Sequence, residues 1–261
     1  MPTFIDQLGN KILLEKNPQR IISLVPSQSE LLWDLGLRKE MAGITKFCVH
    51  PDKMFRSVER VGGTKKLDIG KIRRLNPDLI IGNKEENEKD QIEELQKEFK
   101  VWMSDIYNFE DALEMIKQVG IITGKESEAM QLSQQIGTTL PTIKNIFNGN
   151  KVAYFIWNNP YMLSAKDTYI DYVLNYCGLQ NAAVHLSRYP QVSAEELKKI
   201  DPDYCFLSSE PFPFKESHAK KIQELMPRTK IFIVDGEMFS WYGSRLAKLP
   251  EYLLKLKKEI T

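Results

Sequence analysis

An α/β protein of two Rossmann-like lobes with parallel sheets, joined by a single long helix, is the fold this sequence predicts. Three observations carry the prediction. Lys71-Ile72-Arg73-Arg74-Leu75-Asn76-Pro77-Asp78-Leu79-Ile80-Ile81 is echoed by Glu196-Leu197-Lys198-Lys199-Ile200-Asp201-Pro202-Asp203-Tyr204-Cys205-Phe206: a helix end, an Asn/Asp-Pro-Asp turn and an apolar strand. Upstream of each copy, Leu32–Leu37 and Leu174–Leu179 share the pattern Leu-x-x-x-Gly-Leu, and each follows an apolar stretch, Arg20–Val25 or Lys151–Ile156. Between the halves, Ala129, Leu132, Ile136, Leu140, Ile143 and Phe147 recur at three- and four-residue steps, the spacing of an amphipathic helix. Strands alternating with helices form parallel sheets covered on both faces.

Each element has a local cause. The residue before a proline is driven out of the helical region and the proline fixes the following turn, so both Asx-Pro-Asp units end a helix. Gly36 and Gly178 take the left-handed position that closes a helix. Ser27-Gln28-Ser29-Glu30 and Ser193-Ala194-Glu195-Glu196 have capping-box spacing, and Asp68 is placed to cap the helix leading to Pro77. Residues 125–147 would form a rod of about 34 Å if wholly helical. Pro141 removes a hydrogen bond there, so a kink or restart is expected near Thr139. The predicted divisions are an N-terminal lobe at 1–124, a connecting helix at 125–149 and a C-terminal lobe at 150–261.

Composition excludes several functional classes. The chain has 261 residues with 36 Lys plus Arg against 35 Asp plus Glu, a net charge of +1. That balance lacks the basic field of a protein that holds nucleic acid through its phosphates. No apolar run approaches the ~18 residues of a membrane span. Met1-Pro2-Thr3-Phe4-Ile5-Asp6 has neither the basic start nor the apolar core of a secretory signal. A cytoplasmic location is therefore expected if the sequence is complete, and a periplasmic or cell-surface one if a leader has been removed. Cys48, Cys177 and Cys205 are odd in number and widely spaced, which argues against a disulfide framework. A monomer is expected.

Phosphate-loop, dinucleotide-fingerprint, zinc-protease and nucleophile-elbow motifs are missing from the sequence, and the three histidines (His50, His185, His218) are not spaced for a shared metal on one helix. What stands out is aromatic residues in segments that follow strands, where ligands bind in doubly wound sheets. Trp157 and Tyr161 follow one strand; Glu210, Phe212 and Phe214 follow a second; Glu237, Trp241, Tyr242 and Arg245 follow a third. Arg188 and Tyr189 lie in a short segment before the helix at Ser193. Large rings in loops are costly unless covered, so these positions mark a pocket or a packed contact.

Arg20 to Leu37, Val61-Gly62-Gly63, Asn76-Pro77-Asp78, Tyr189-Pro190-Gln191-Val192-Ser193 and Asp201-Pro202-Asp203 together resemble the helical-backbone (class III) solute-binding proteins of metal-chelate ABC importers, in particular their cobalamin-binding branch. The likeness covers roughly residues 18 to 258. It implies a non-catalytic protein that holds a cobalamin, haem or ferric siderophore in a cleft between the lobes, with no catalytic cofactor. Carried over by position, it places Phe47 and Tyr189 at aromatic ligand positions, Thr64 and Asn83 where the family has tryptophans, and Met162 near another ring. Glu237 and Trp241 stand where the family has a polar pair. It also implies carboxylates that meet the importer's membrane component: Glu195 matches one, while the other falls at Gly70 with Asp68 nearby. Phe47, Trp157, Tyr161, Tyr189, Phe212 and Trp241 would then cover a corrinoid, with Gln28, Arg188, Glu237 and Arg245 on its edge. His50 and Cys48 are weaker candidates for metal ligation. The alternative is a cytoplasmic enzyme or sensor acting on a small molecule in the same cleft.

Overall fold

The computed structural model describes residues 2–260; Met1 and Thr261, the outer limits of the two predicted lobes, lie outside the described residues. The chain forms two compact units: Met1–Thr138 with Trp241–Ala247, and Thr139–Ser240 with Lys248–Thr261.

The first unit opens with a hairpin, β1 (Thr3–Ile5) and β2 (Lys11–Leu13), and continues through β3 (Ile21–Ser23), α1 (Pro26–Asp34), β4 (Met41–Ile44), α2 (Asp52–Ser57), β5 (Glu59–Arg60), α3 (Ile69–Leu75), β6 (Leu79–Asn83), α4 (Lys89–Gln96), β7 (Val101–Ser104) and α5 (Phe109–Thr123). The sheet is wholly parallel in the order β5-β4-β3-β6-β7, with the order reversing at β3. Such a reversal opens a crevice at the carboxyl ends of the strands. Ile22, Leu24, Ile72, Ile80 and Ile92 fill the core on one side of it.

Helix α6 (Glu126–Thr139) is followed at once by a 3-10 turn, Leu140–Ile143, with Pro141 near its start. The expected restart at Thr139 is present, but the continuous 125–147 rod is not: the α-helix is 14 residues, about 21 Å long. Proline fits the first turn of a new helical segment and not the interior of an old one.

The second unit runs through β8 (Lys151–Trp157), β9 (Tyr161–Leu163), α7 (Tyr169–Tyr176), β10 (Gln180–Asn181), β11 (Gln191–Val192), α8 (Ala194–Ile200), β12 (Tyr204–Ser208), α9 (Glu216–Leu225), β13 (Lys230–Val234), α10 (Gly236–Ser240) and, after the 3-10 turn Ser244–Ala247 of the first unit, α11 (Leu249–Ile260). Its six-stranded sheet is ordered β11-β9-β8-β12-β13, with β10 parallel beside the start of β8, and is mixed rather than parallel throughout, because β9 returns antiparallel beside β8 and β11 pairs antiparallel with β9. The segment Asp235–Ser240, expected as loop, forms the short helix α10.

The repeated sequence has a repeated structural use. Asn76 and Asp201 close α3 and α8 in the left-handed region, at φ 45° and 40°. Two residues on, Asp78 accepts hydrogen bonds from the backbone N–H groups of Gln19 (2.8 Å) and Arg20 (2.9 Å), just before β3. Asp203 accepts one from Lys151 N–H (2.7 Å), at the start of β8. Each turn thus pins the first strand of its sheet to the next parallel one. Gly36 and Gly178 follow α1 and α7 at φ 84° and 88°, a region open to glycine at little cost.

Ser193 and Glu196 make both bonds of the predicted capping box, and Asp68 accepts from Lys71 N–H as predicted. The capping box expected at Ser27 does not form. Pro26 takes the first helical position, Val25 is the N-cap and no side chain caps α1.

Candidate ligand-binding site

In the first unit the ends of β6 and β7 carry a buried amide and hydroxyl network. Gln28 Nε2 donates to Ser104 Oγ (2.6 Å) and to Gly82 O (3.4 Å), while Asn83 Nδ2 donates to the same Ser104 Oγ (2.9 Å). Asn83 Oδ1 accepts from the N–H groups of Glu85 and Glu86, and Asn87 Nδ2 donates to the carbonyls of Leu24 and Thr64. Gln28, Asn83 and Thr64 are all buried. Gln28 and Asn83 join the strand-end loops after β6 and β7 through Ser104, Thr64 takes part through its backbone carbonyl, and Gln28 Oε1 has no partner among the described residues.

Phe47 is different. It is 50% exposed, with Lys46 Nζ 5.0 Å from its ring centroid. A Cβ on Gly63 would come within 3.1 Å of Phe47 Cε2, so the ring lies against a bare backbone. Tyr107, after β7, is also exposed, and Lys84 Nζ stands 5.9 Å from its ring centroid. Lys46, Lys84 and Tyr107 were not singled out in the sequence; their position just after strands was the available signal.

The two metal-ligand candidates lie in different surroundings. Cys48 is buried, its Sγ 3.1 Å from both Ser29 Oγ and Thr45 Oγ1, and burial pushes the thiol's pKa up, away from the thiolate that binds metals. His50 is exposed, its ring edge-on to Trp241 at 6.2 Å. Among the described residues no cluster of three or more His, Cys, Asp or Glu is placed to hold a metal ion.

Trp241, Tyr242 and Arg245, predicted to face ligand, are buried within the first unit. Arg245 donates from Nε and Nη2 to the two carboxylate oxygens of Glu30 on α1 (2.8 and 2.9 Å), and its guanidinium carbon lies 4.4 Å from the Trp241 ring centroid. Ser244 Oγ donates to Asp34 Oδ2 (2.5 Å). The segment is a clasp on α1, because a planar cation satisfies a buried carboxylate and an aromatic face together.

In the second unit the rings do gather. Trp157 (39% exposed) meets Phe212 at 5.6 Å, Phe212 meets Phe214 at 4.9 Å, and Phe155 joins Phe214 and Tyr161 at 6.2 and 6.1 Å, all near edge-on. Phe214 is the buried root of this group, packed with Leu207, Leu197 and Ile222. Tyr161 and Met162 are half-buried on β9. The Arg188 guanidinium lies 5.6 Å from the Tyr189 ring centroid and donates to Asp167 O (2.8 Å). Glu210 accepts from Ser240 Oγ (2.7 Å), and Glu237 is half-buried on α10.

Glu195 and Asp68 are exposed at the N-terminal ends of α8 and α3. Gly70 and Glu195 are each the second residue of their helix, so the repeat places them at equivalent positions.

A family model described as periplasmic binding protein matches residues 21–230. The ABC transporter substrate-binding lipoprotein YvrC of Bacillus subtilis is 28% identical over 216 residues, 77% of this chain and 68% of that protein. A vitamin B12-binding protein of Vibrio parahaemolyticus is 26% identical over 214 residues, covering 80% and 76% of the two chains. Among solved structures, the periplasmic heme-binding protein RhuT of Roseiflexus sp. RS-1 superposes with a TM-score of 0.81 at 17% identity, over 93% of this chain and 99% of that one. No helix among the described residues is long and apolar enough to cross a membrane.

Proposed function

Because the chain belongs to the periplasmic binding protein family, we propose that it binds a metal chelate without transforming it, as the substrate-binding component of an ABC importer. The observation that carries this reading is the exposed rings at strand ends, Phe47 in the first unit and Trp157 in the second, the latter edge-on to half-buried Phe212. Each apolar ring face removed from water contributes on the order of 25 cal/mol per Å². Several such faces give micromolar or tighter affinity after the cost of association. A corrinoid is the favoured guest. Lys46 and Arg188 supply donors, Glu210 and Glu237 supply acceptors, and the primary amides around a corrin ring use both, whereas carboxylate edges use donors alone.

Calorimetric and visible-absorption titration with cyanocobalamin, haemin and a ferric siderophore tests the reading. Cyanocobalamin is expected to bind most tightly, and silence from all three overturns the proposal. Phe47→Ala and Trp157→Ala are each expected to weaken binding by about tenfold, a loss of ~1.4 kcal/mol. Glu195 and Asp68 are proposed as the carboxylates offered to the importer. Glu195→Ala is expected to lower association with the membrane component while leaving chelate affinity unchanged.

A further inference from the structure

Helices α8 and α9 open with the same device built from different chemistry. Glu196 and His218 are each the third residue of their helix. At α8 the Glu196 carboxylate accepts from the N–H of Ser193 (2.7 Å). At α9 the acceptor is an imidazole: His218 Nδ1 accepts from the N–H of Lys215 (2.9 Å), while His218 N–H donates back to Lys215 O (2.8 Å). A backbone N–H can only donate, so Nδ1 is the bare nitrogen and the ring proton sits on Nε2. The two acceptors differ in when they take up a proton. The Ser193 N–H holds the Glu196 carboxyl below its ordinary value, so that cap persists into acid. Imidazole is the side chain that ordinarily changes charge between pH 5 and 8.

The same imidazole belongs to the ring cluster. Its centroid lies 5.1 Å from that of Phe212 and 5.8 Å from that of Phe214, both near edge-on, and Phe212 meets Trp157 at 5.6 Å. Phe212 stands in the loop between β12 and α9, so its direction is set by its ring neighbours and the core beneath them. Among the described residues no ion pair reaches the imidazole. Its own cap and helix bring Lys215, Glu216 and Lys221 within a turn. Glu210, the one carboxylate of the preceding loop, is bonded to Ser240. Helix α8 and strand β13, which pack against α9, carry Glu195, Glu196, Lys198, Lys199 and Lys230. The bond from Lys215 is thus the polar contact that fixes the orientation of the ring.

We propose that His218 is a positioning residue for Phe212, and that it gives up this role when the imidazole takes a second proton from solvent. With hydrogen on both nitrogens the ring presents a donor to the Lys215 N–H, and attraction becomes repulsion. The added charge also stands in the first turn of α9, at the positive end of the helix dipole. The imidazolium turns away from that N–H, and Phe212, packed against it, shifts beside Trp157. The consequence for chelate affinity rests on the function proposed for the ring cluster; the ring movement itself does not.

Nitrogen-15 NMR of the full chain from pH 8 to pH 5 reads the switch with no ligand present. The Lys215 amide and the Trp157 indole N–H are expected to shift together, with the midpoint of the His218 ring. His218→Gln keeps an acceptor at the same helix position without a titrating group, so neither signal is expected to move with pH in that variant. It retains His50 and His185, so shifts that survive in it arise elsewhere and overturn the proposal. A wild-type Trp157 indole indifferent to the His218 midpoint overturns it as well, whether or not the variant folds. Cyanocobalamin affinity by calorimetry is expected to weaken about threefold or more from pH 8 to pH 5 in the wild type and to stay level in His218→Gln. Joint movement of the two N–H signals without cyanocobalamin binding at either pH would sink the ligand reading and support the switch.

Discussion

Arg245 and Glu30 have 9% and 6% of their side chains exposed, and each is the other's charge partner through a two-point hydrogen bond. Removing one member breaks a buried two-point ion pair, which costs about 3–5 kcal/mol; removing both costs far less. Arg245→Met is therefore expected to lower the unfolding free energy by about 3 kcal/mol or more, and Glu30→Gln in the same background to recover part of it, read by urea denaturation. The cysteines allow a pH prediction with a definite sign. Burial pushes the Cys177 thiol from 9.0 up to about 12. Below pH 9 the thiol is protonated in both states and the folded form carries no penalty. Between pH 9 and 12 the unfolded thiol has lost its proton while the folded one retains it, so stability falls by about 1.4 kcal/mol per pH unit for this group. Cys177→Ala is expected to flatten the alkaline limb of the stability curve by that slope. Cys48 and Cys205 are likewise buried with raised pKa values, so none of the three thiols should react with a thiol reagent at pH 8 until the protein is denatured. At this scale the sequence located rings and charges at strand ends but not their direction. Phe47 and Trp157 turn outward, whereas Gln28, Trp241 and Arg245 turn inward, a difference set by tertiary neighbours such as Ser104 and Glu30 that lie far away in the chain.

Helix ends show where local chemistry is enough. Ser193 bonds the N–H of Glu196 while Glu196 bonds back, so Ser193→Ala is expected to cost about 1 kcal/mol, and Asp68→Ala a similar amount at α3, by chemical denaturation. Ser27 has the same spacing to its acidic neighbour but a different fate: it is buried inside α1 and its Oγ has no hydrogen-bond partner among the described residues. Ser27→Ala should be neutral or slightly stabilising, because it removes an unsatisfied polar atom. The distinction was written in Pro26, whose ring belongs at the first helical position and moves the cap back to Val25. The break after Thr139 was legible for the same reason. The antiparallel return of β9 was not: three residues are too few to show a period of two, and the pairing partners Gln191 and Val192 lie about thirty residues on.

Duplication organises the whole chain, since both sheets place their first strand centrally and lock it with an Asx-Pro-Asp turn. One stretch escapes that division. Trp241–Ala247 belongs to the first unit although the chain on either side of it, Thr139–Ser240 and Lys248–Thr261, belongs to the second. A division by sequence order into 1–124, 125–149 and 150–261 therefore assigns Arg245 to a different lobe from Glu30, the residue it neutralises. This has a consequence for folding. A fragment ending at residue 138 would keep the whole parallel sheet and the core around Ile22, Ile72 and Ile80. It would also keep Glu30 and Asp34 while lacking the groups that bond them, Arg245 and Ser244. Loss of this pair, and of the buried Trp241 and Tyr242 beside it, weakens a unit whose typical stability is only about 5–15 kcal/mol. Residues 1–138 alone are therefore expected to show little or no cooperative thermal transition by circular dichroism. The same fragment with Trp241–Ala247 appended through a flexible Gly/Ser linker should regain one, and replacing Arg245 by Met in the appended segment should abolish the gain. Equal cooperativity in all three fragments would show that the clasp adds nothing to the first unit's stability.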